Sequence, residues 1–307
     1  METKMKVSLI ITIKNEADIS SLLESISKQT IGPDEFVFTD AGGNSEMQSV
    51  GWLTKYKNKK TVRFIDLPAD ANRSVGRNKA ITAAKHEHIL ITDAGCTLEE
   101  HWVERMKEGF EKADVVAGYY AADCKNTFEK CVAPYALVMP DKLNVKTFLP
   151  ATRSMGITKK VWQEIGKFDE DFRYAEDYAL ARKIHDSRIK IHVVADAVVY
   201  WRPRGNLSSF ARMIYEHAYG DAYNKIFRPK VAFIFVRYFF FIGLMLLSLY
   251  FWPLWFFTLQ LSIVYIVYSI VKNYRYVRDG RAVFILPVLQ ILSDLCVMTA
   301  TAVGLLQ

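Results

Sequence analysis

The stretch Val7–Gly43, VSLIITIKNEADISSLLESISKQTIGPDEFVFTDAGG, decides the fold class of this 307-residue chain. It opens on VSLIITI, a β-branched run typical of a strand buried in a parallel sheet. A helical segment follows, which Asp18 can cap. A second strand, EFVFT, then ends at Asp40 in a turn of small residues. Strand, helix and strand joined by short links predict an α/β fold.

The same alternation continues along the chain. We expect further strands at 62–65, 88–92 and 115–119, and a helix at 73–85. Thr97 and Glu100 have the spacing of a capping box, which predicts that another helix begins there. The pattern indicates an open, mostly parallel sheet with helices on both faces, in which ligands lie beyond the carboxyl ends of the strands.

Two carboxylates fall at such strand ends, Asp40 and Asp93, each before a small-residue turn. A carboxylate there can accept hydrogen bonds from a base or ribose, or hold a divalent ion on a diphosphate. Each Asp can equally serve only as a turn or cap residue. These residues alone leave both interpretations open.

The C-terminal quarter of the chain has a different composition. Residues 231–271 are almost uncharged and are broken at Trp252-Pro253, and 282–306 form a third apolar stretch around Asp294. A span needs about 20 residues, so this is room for about three transmembrane helices. A buried all-α domain is the alternative. Arg237 lies near the start of the first span, from where it can extend to the cytoplasmic edge.

Charge predicts how these spans are oriented. Residues 1–199 hold 29 basic and 29 acidic residues, whereas residues 200–307 hold 11 basic and 4 acidic ones. The basic segments 225–230 and 272–281 belong on the cytoplasmic side. We therefore expect a multi-pass protein of the cell membrane whose α/β domain is cytoplasmic. The balanced charge of that domain argues against nucleic acid as a partner.

Four blocks in order carry a resemblance to a known family. They are the opening stretch, NRSVGRNKAITAAKHEHILITDAGC (72–96), PATRSMGITKKVWQEIGKFDEDF (150–172) and AEDYALARKI (175–184). Together they resemble family 2 glycosyltransferases over residues 5–205. The resemblance implies the GT-A fold, which is Rossmann-like, and a nucleoside-diphosphate sugar as donor.

The resemblance also implies a set of donor-binding residues. Thr12, Ile13 and Glu16 would line the nucleoside pocket, and Asp40 would bind the base. The other residues expected near the phosphates or the sugar are Arg77, Asp93, Ala94, Arg153 and Ser154. Arg202 and Arg204 follow the last strand-like run and can hold the donor diphosphate or an acceptor phosphate. Their alternative role is that of juxtamembrane positive charge.

The resemblance places a divalent metal, Mg²⁺ or Mn²⁺, at Asp93, which matches the first Asp of the family's D-x-D motif. The second Asp of that motif is Gly95 in this chain. Asp93 would then ligate the ion with diphosphate and water completing its shell. Alternatively, Arg and Lys side chains replace part of the metal's charge.

Glu176 and Asp177 are the expected catalytic residues. Alone, two acids in a first helical turn only favour the helix dipole. They follow Phe168-Asp169-Glu170-Asp171-Phe172, however, and FDE-x-F followed by ED is the family's arrangement. The resemblance makes Asp177 the general base, which accepts a proton from the acceptor hydroxyl in an inverting reaction.

The sequence thus predicts a catalytic domain at 1–205, an amphipathic juxtamembrane linker at 206–230 and a transmembrane segment at 231–307. The Q-x-x-R-W motif of processive synthases is absent near 212–216, which favours transfer of a single sugar. The expected acceptor is membrane-associated and lipid-linked. Two alternatives stay open: transfer onto a polyprenyl phosphate, and a catalytically inactive membrane adaptor that keeps the fold.

Overall fold

A computed structural model describes residues 5–14, 19–42, 61–172 and 174–307. The chain forms two compact units. The first comprises residues 1–123 and 139–202, and the second comprises 124–138 and 203–307. The segment 124–138 therefore packs with the C-terminal part of the chain. The predicted boundary at residue 205 stays a prediction.

The first unit is built around one sheet. In the described residues its strands are β1 (Val7–Ile13), β2 (Glu35–Asp40), β3 (Thr61–Asp66), β4 (His88–Asp93), β5 (Cys96–Leu98), β6 (Val115–Ala122), β7 (Met155–Thr158) and β8 (Ile191–Trp201). Its helices are α1 (Ser20–Ser27), α2 (Arg73–Ala83), α3 (Trp102–Phe110), α5 (Lys159–Glu164) and α6 (Glu176–Asp186), and α4 (Thr127–Ala136) belongs to the second unit. The strand order is β3-β2-β1-β4-β7-β6-β8-β5.

The central strands form as their apolar runs predict. β1 pairs in parallel with β2 and β4, and β2 pairs in parallel with β3. Because side chains alternate along a strand, β1 supplies both cores. Leu9 and Ile11 pack on the side of α1 and α3, whereas Ile10 packs on the side of α2, α5 and α6. The α/β sheet covered on both faces is confirmed.

The far half of the sheet is mixed. β7 pairs antiparallel with β4 and β6, and the short β5 pairs antiparallel with the end of β8. The helix predicted from the capping box at Thr97 is wrong, because Cys96 and Leu98 are buried strand residues and the helix begins only at Trp102. The pairing with β8, which is remote in sequence, overrides the local capping signal.

The second unit consists of helices. Besides α4, the described residues form α7 (Leu207–Tyr223), α8 (Pro229–Ser248), α9 (Leu254–Val277) and α10 (Ala282–Leu305). The last three are long and apolar enough to cross a membrane, as predicted. The basic segment 272–281 is helical as far as Val277, so only residues 278–281 form the turn before α10.

Asp294 of α10 lies inside this helical unit and is 2% exposed. It forms an ion pair with Arg237 of α8 (2.6 Å) and accepts hydrogen bonds from Tyr265 of α9 and Gln290 of α10. Arg237 is thus paired with a carboxylate of a neighbouring helix, and its reach to the membrane edge stays a prediction. An unpaired carboxylate in an apolar environment is costly, and pairing with a cation of the neighbouring helix removes that cost.

Close packing also joins α7 to α10. A Cβ atom added at Gly304 of α10 would lie 2.9 Å from both the Ala222 Cβ and the Tyr219 carbonyl oxygen of α7. The Tyr219 carbonyl oxygen belongs to the backbone, so it cannot rotate away from the added atom. Small residues thus allow the two helix backbones to approach closely, as is common between membrane helices.

This packing generates a prediction. Gly304→Ala should lower the melting temperature of the purified protein in detergent, because overpacking costs about 1–3 kcal/mol. Gly243→Ala in α8 is the matched control, since nothing lies within 4 Å of the added Cβ. Alanine is the better helix former, so the control should melt at the same or a higher temperature. Equal melting temperatures of the two variants would contradict the α7–α10 packing.

Candidate active site

The candidate site lies at the carboxyl ends of the parallel strands. Thr12 of β1 lies opposite Asp93 of β4, and Ile13 lies opposite Asp40 of β2. Because β2 and β4 flank β1, and neighbouring strands are about 4.8 Å apart, the two carboxylates lie on strands roughly 10 Å apart. The sheet thus brings together the strand-end residues predicted from the sequence.

Arg77 of α2 connects this edge to α6. Its guanidinium donates to Asp93 Oδ1 (2.9 Å) through one terminal nitrogen and to Glu176 Oε1 (2.6 Å) through the other. The Phe168 ring lies under it, with the centroid 5.5 Å from Cζ. Arg77 is 2% exposed and Glu176 is 5% exposed. One planar fork therefore fixes a strand-end carboxylate and the first residue of α6 in a single arrangement.

The charges of the site stabilise one another. Burial alone lowers the pKa of Arg77, but Asp93, Glu176 and Asp177 raise it above its ordinary value. Burial raises the pKa of Asp93, yet Arg77 and Arg153 outweigh burial and hold that pKa below the usual value. Arg77 and Asp93 are therefore both charged at neutral pH. A single partner removed from such a buried pair leaves an uncompensated charge, at a cost of about 3–5 kcal/mol.

Asn78, next to Arg77, holds the segment that precedes α6. Its amide nitrogen donates to the Phe168 carbonyl and to Glu170 Oε1, both at 2.8 Å. Its amide oxygen accepts from Trp162 Nε1 (3.2 Å) and from the Phe168 N–H (3.1 Å). The asparagine thus uses its full hydrogen-bonding capacity on one segment. The FDEDF block consequently has a fixed position relative to α2.

The backbone at the start of α6 is strained. Ala175 precedes the helix with φ of +60°, in the left-handed region that an alanine rarely adopts. Such strain persists where the surroundings impose it, often at functional sites. Here the left-handed residue directly precedes Glu176, which the Arg77 ion pair holds. Asp177 follows, and its Oδ1 accepts from the N–H of Tyr178 (2.8 Å).

Arg153 is the second cation of the site. Its guanidinium lies over the ring of Trp201 (4.8 Å) and over that of Tyr120 (5.5 Å). Thr92 donates a hydrogen bond to its backbone carbonyl (2.9 Å), which anchors it beside the end of β4. Burial lowers the pKa of Arg153, but Asp93, Tyr120 and Asp177 raise it above the ordinary value. Arg153 is therefore a charged, partly exposed group that contacts two aromatic rings.

Ser154, the next residue, has a different environment. Its hydroxyl is fully buried, accepts from Trp102 Nε1 (2.8 Å) and donates to the Ala197 carbonyl (3.4 Å). A Cβ at Gly118 would lie only 2.1 Å from that hydroxyl, so the close approach requires glycine. These contacts position the turn that carries Arg153. A donor contact by Ser154 stays a prediction.

The remaining predicted residues differ in their placement. Ile13 and Ala94 are buried at the ends of β1 and β4. Arg202 is exposed and directly follows Trp201, whereas Arg204 belongs to the second compact unit. Glu16 lies outside the described residues. The donor-binding roles of all these residues stay predictions.

Sequence reasoning missed Asn78, Tyr120 and Trp201 as parts of the site. Asn78 stood inside the quoted Gly76-Arg77-Asn78 block, but nothing local marks an amide as the clamp of a segment about 90 residues away. Tyr120 and Trp201 lie on β6 and β8, which pair only in the folded sheet. Only their contacts with Arg153 in the folded protein identify Tyr120 and Trp201 as parts of the site.

The surroundings of Asp93 fit a divalent metal that receives most of its ligands from a bound diphosphate and from water. Asp93 Oδ1 is bound by Arg77, yet the side chain is 30% exposed, which leaves a carboxylate edge open to an ion. The exposed Gly95 supplies no second carboxylate. Mg²⁺ and Mn²⁺ prefer six oxygen ligands, so phosphate and water oxygens must provide most of the shell.

Comparison with known proteins decides the family. Residues 8–159 match the profile described as "Glycosyl transferase family 2". The chain carries a family 2 glycosyltransferase domain. The uncharacterized glycosyltransferase YwdF of Bacillus subtilis (strain 168) is 26% identical over 205 residues, which is 64% of this chain and 74% of YwdF. Both comparisons agree with the glycosyltransferase domain that the sequence predicted.

Solved structures agree on the GT-A fold of the family 2 domain. The mannosyltransferase PcManGT from Pyrobaculum calidifontis, in complex with GDP-Man and Mn²⁺, matches with a TM-score of 0.55 and 16% identity. The match covers 72% of this chain and 63% of PcManGT. S. aureus TarS 1-349 in complex with UDP matches with a TM-score of 0.50 and 20% identity, over 70% of this chain and 65% of that one. The match to the longer TarS structure covers only 40% of that chain.

The ring-stacked Arg153 generates a prediction for the family 2 domain. Arg153→Lys keeps the charge but loses the planar stacking on two rings, so affinity for a nucleoside diphosphate should fall about tenfold. Tyr120→Phe is the matched control, because it retains the ring under the guanidinium. Calorimetry with UDP and GDP measures both variants. Wild-type affinity of Arg153→Lys for the nucleotide that the protein binds would contradict this role.

Proposed function

We propose that the protein is an inverting glycosyltransferase that moves one sugar from a nucleoside-diphosphate sugar to a membrane-associated, lipid-linked acceptor at the cytoplasmic face. The observation that carries the proposal is the Arg77 fork, which fixes Asp93 and Glu176 together. A donor-side carboxylate and the helix that bears the candidate base thereby form one rigid site.

The donor side of the proposal rests on the strand ends. Asp40 offers a carboxylate to the base or ribose, and Asp93 lies two strands away towards the phosphates. Arg153 supplies a cation between them and α6, where negative charge develops on the departing diphosphate. The UDP and GDP-Man complexes of the structural relatives support a nucleotide donor.

Asp177 carries the chemical step in this proposal. Its carboxylate takes the proton of the acceptor hydroxyl while that oxygen forms a bond to the anomeric carbon. The bond between that carbon and the diphosphate oxygen breaks on the opposite face, and the nucleoside diphosphate leaves with the electron pair. Attack opposite the leaving group inverts the anomeric configuration. Glu176, buried against Arg77, positions the base and does not contact the acceptor.

A divalent ion held by Asp93 would neutralise the leaving diphosphate, which is the chemistry such an ion supplies. The Mn²⁺ bound in PcManGT supports this assignment. Arg77 keeps the Asp93 carboxylate ionised and oriented. Because the second carboxylate that would hold the metal is missing, Arg153 supplies part of the positive charge that the metal would otherwise provide.

The three apolar helices support the membrane part of the proposal. With Lys225–Lys230 and Arg278–Arg281 on the cytoplasmic side, α8 leads outwards, α9 returns and α10 leads outwards again. This orientation keeps the family 2 domain in the cytoplasm, where nucleotide sugars are available. A lipid-linked acceptor is then presented at the same membrane surface.

The role of Asp177 is tested by Asp177→Asn. The amide cannot take the proton, so transfer should fall by at least about 100-fold while donor affinity stays within about twofold. Asp186→Asn, at the exposed far end of α6, is the control and should retain activity. The assay uses purified protein in detergent with labelled nucleotide sugars and lipid acceptors.

Undiminished turnover of Asp177→Asn would remove Asp177 from the mechanism. A small effect there, combined with a large loss from Arg202→Ala, would favour transfer onto a lipid phosphate. That nucleophile is already an anion and needs no base.

The metal assignment makes a further prediction. Mn²⁺ should bind weakly to the protein alone and at least about tenfold more tightly with bound nucleoside diphosphate, because the phosphates supply most of the ligands. Calorimetric titration of Mn²⁺ with and without nucleotide measures this coupling. Full transfer activity in excess chelator would show instead that the arginines alone stabilise the leaving group.

A further inference from the structure

A polar cluster in the helical unit has no role in the site described above. It joins Tyr135 of α4, Lys272 and Asn273 of α9, and Gln290 of α10. The Lys272 ammonium lies 5.6 Å from the centroid of the Tyr135 ring and donates to Gln290 Oε1 (3.1 Å). The Tyr135 hydroxyl donates to the same oxygen (3.3 Å). Three helices therefore converge on one small polar centre within an apolar unit.

The buried amide of Asn273 is the group in this centre that points to a ligand. The Gln290 carbonyl oxygen already receives two hydrogen bonds, and its amide nitrogen donates to Asp294 (3.1 Å). Asn273 is 1% exposed, yet among the described residues its amide nitrogen reaches no acceptor in hydrogen-bonding geometry, although the Tyr135 hydroxyl lies beside it. A buried donor without an acceptor is costly. An acceptor-only group with several oxygens, such as a phosphate, would satisfy the Asn273 donor.

The position of Lys272 and Asn273 along α9 indicates which kind of group the cluster would bind. A helix of 24 residues is about 36 Å long, about 6 Å more than the hydrocarbon core of a bilayer. Lys272 and Asn273 lie five and four residues before its end at Val277, roughly 6–8 Å from the end. That level corresponds to the boundary between acyl chains and head groups, where the phosphate of a lipid lies. Lys272 is exposed, so a lipid can reach it from the side.

We propose that Lys272 and Asn273, with Tyr135, bind the phosphate of the lipid-linked acceptor. Lys272 provides the countercharge, and the Asn273 amide donates its unused hydrogen bond to a phosphate oxygen. The assignment to the acceptor rests on the proposed function. The phosphate chemistry rests on the cluster itself.

The test uses the full chain in an uncharged detergent, with dodecyl phosphate as the probe. Dodecanol, which has the same alkyl chain without the phosphate, is the control ligand. Native mass spectrometry or the shift in melting temperature reads binding. Lys272→Gln should weaken dodecyl phosphate binding about tenfold, because a hydrogen bond to a charged group is lost. Lys272→Arg should restore most of it. Lys230→Gln, which removes an equal charge at the start of α8, should bind like wild type.

Several outcomes overturn the proposal. Wild-type binding by Lys272→Gln would show that the cluster is structural only. Equal affinity for inorganic phosphate would overturn the lipid assignment, and equal competition by phosphatidylglycerol would overturn the assignment to the acceptor. Unchanged melting of Lys272→Gln without probe shows that the variant is folded. If transfer cannot be found but the Lys272 effect holds, the proposed function fails while the phosphate site stands.

Discussion

The double ion pair of Arg77 is the interaction on which the rest of the site depends. A guanidinium that is 2% exposed is tolerated only because Asp93 and Glu176 each accept one of its hydrogen bonds. The same fork fixes the distance between the end of β4 and the start of α6. Without it, the FDEDF segment would still be held by Asn78, but neither carboxylate would have a defined orientation. A lysine at this position presents a point charge and cannot hold both partners in one plane.

The proposed function has to account for Gly95, which stands in place of the second aspartate of the D-x-D motif. The D-x-D motif has two acids, whereas this chain has Asp93 and the ring-stacked Arg153. A cation stacked on aromatic rings loses little conformational entropy when an anion arrives, and Arg153 remains charged at neutral pH. Under the proposed function, recruitment of a metal by Asp93 would then depend on the bound donor. In our account the diphosphate of the donor supplies the metal ligands that the protein lacks.

The sequence could predict those parts that local pattern determines. The β1, β2 and β4 runs are apolar on both faces because both faces are covered, and their carboxyl ends locate Asp40 and Asp93. The apolar lengths after residue 230 predict three long helices. Parts that depend on remote pairing were missed or misread. The capping box at Thr97 gave way to pairing with β8, and Arg237 pairs with Asp294, 57 residues away. The Asn78 clamp likewise joins segments that only folding brings together.

The central claim is that Arg77 and Glu176 act as one unit that couples the donor side to α6. A double-mutant cycle of Arg77→Lys and Glu176→Gln, read as kcat/KM for sugar transfer, tests it most directly. The account predicts that each single change causes most of the loss and that the double change adds little. The interaction free energy should then exceed about 1.5 kcal/mol. Additive losses from the two substitutions would contradict the account, because they would show that the two residues act independently.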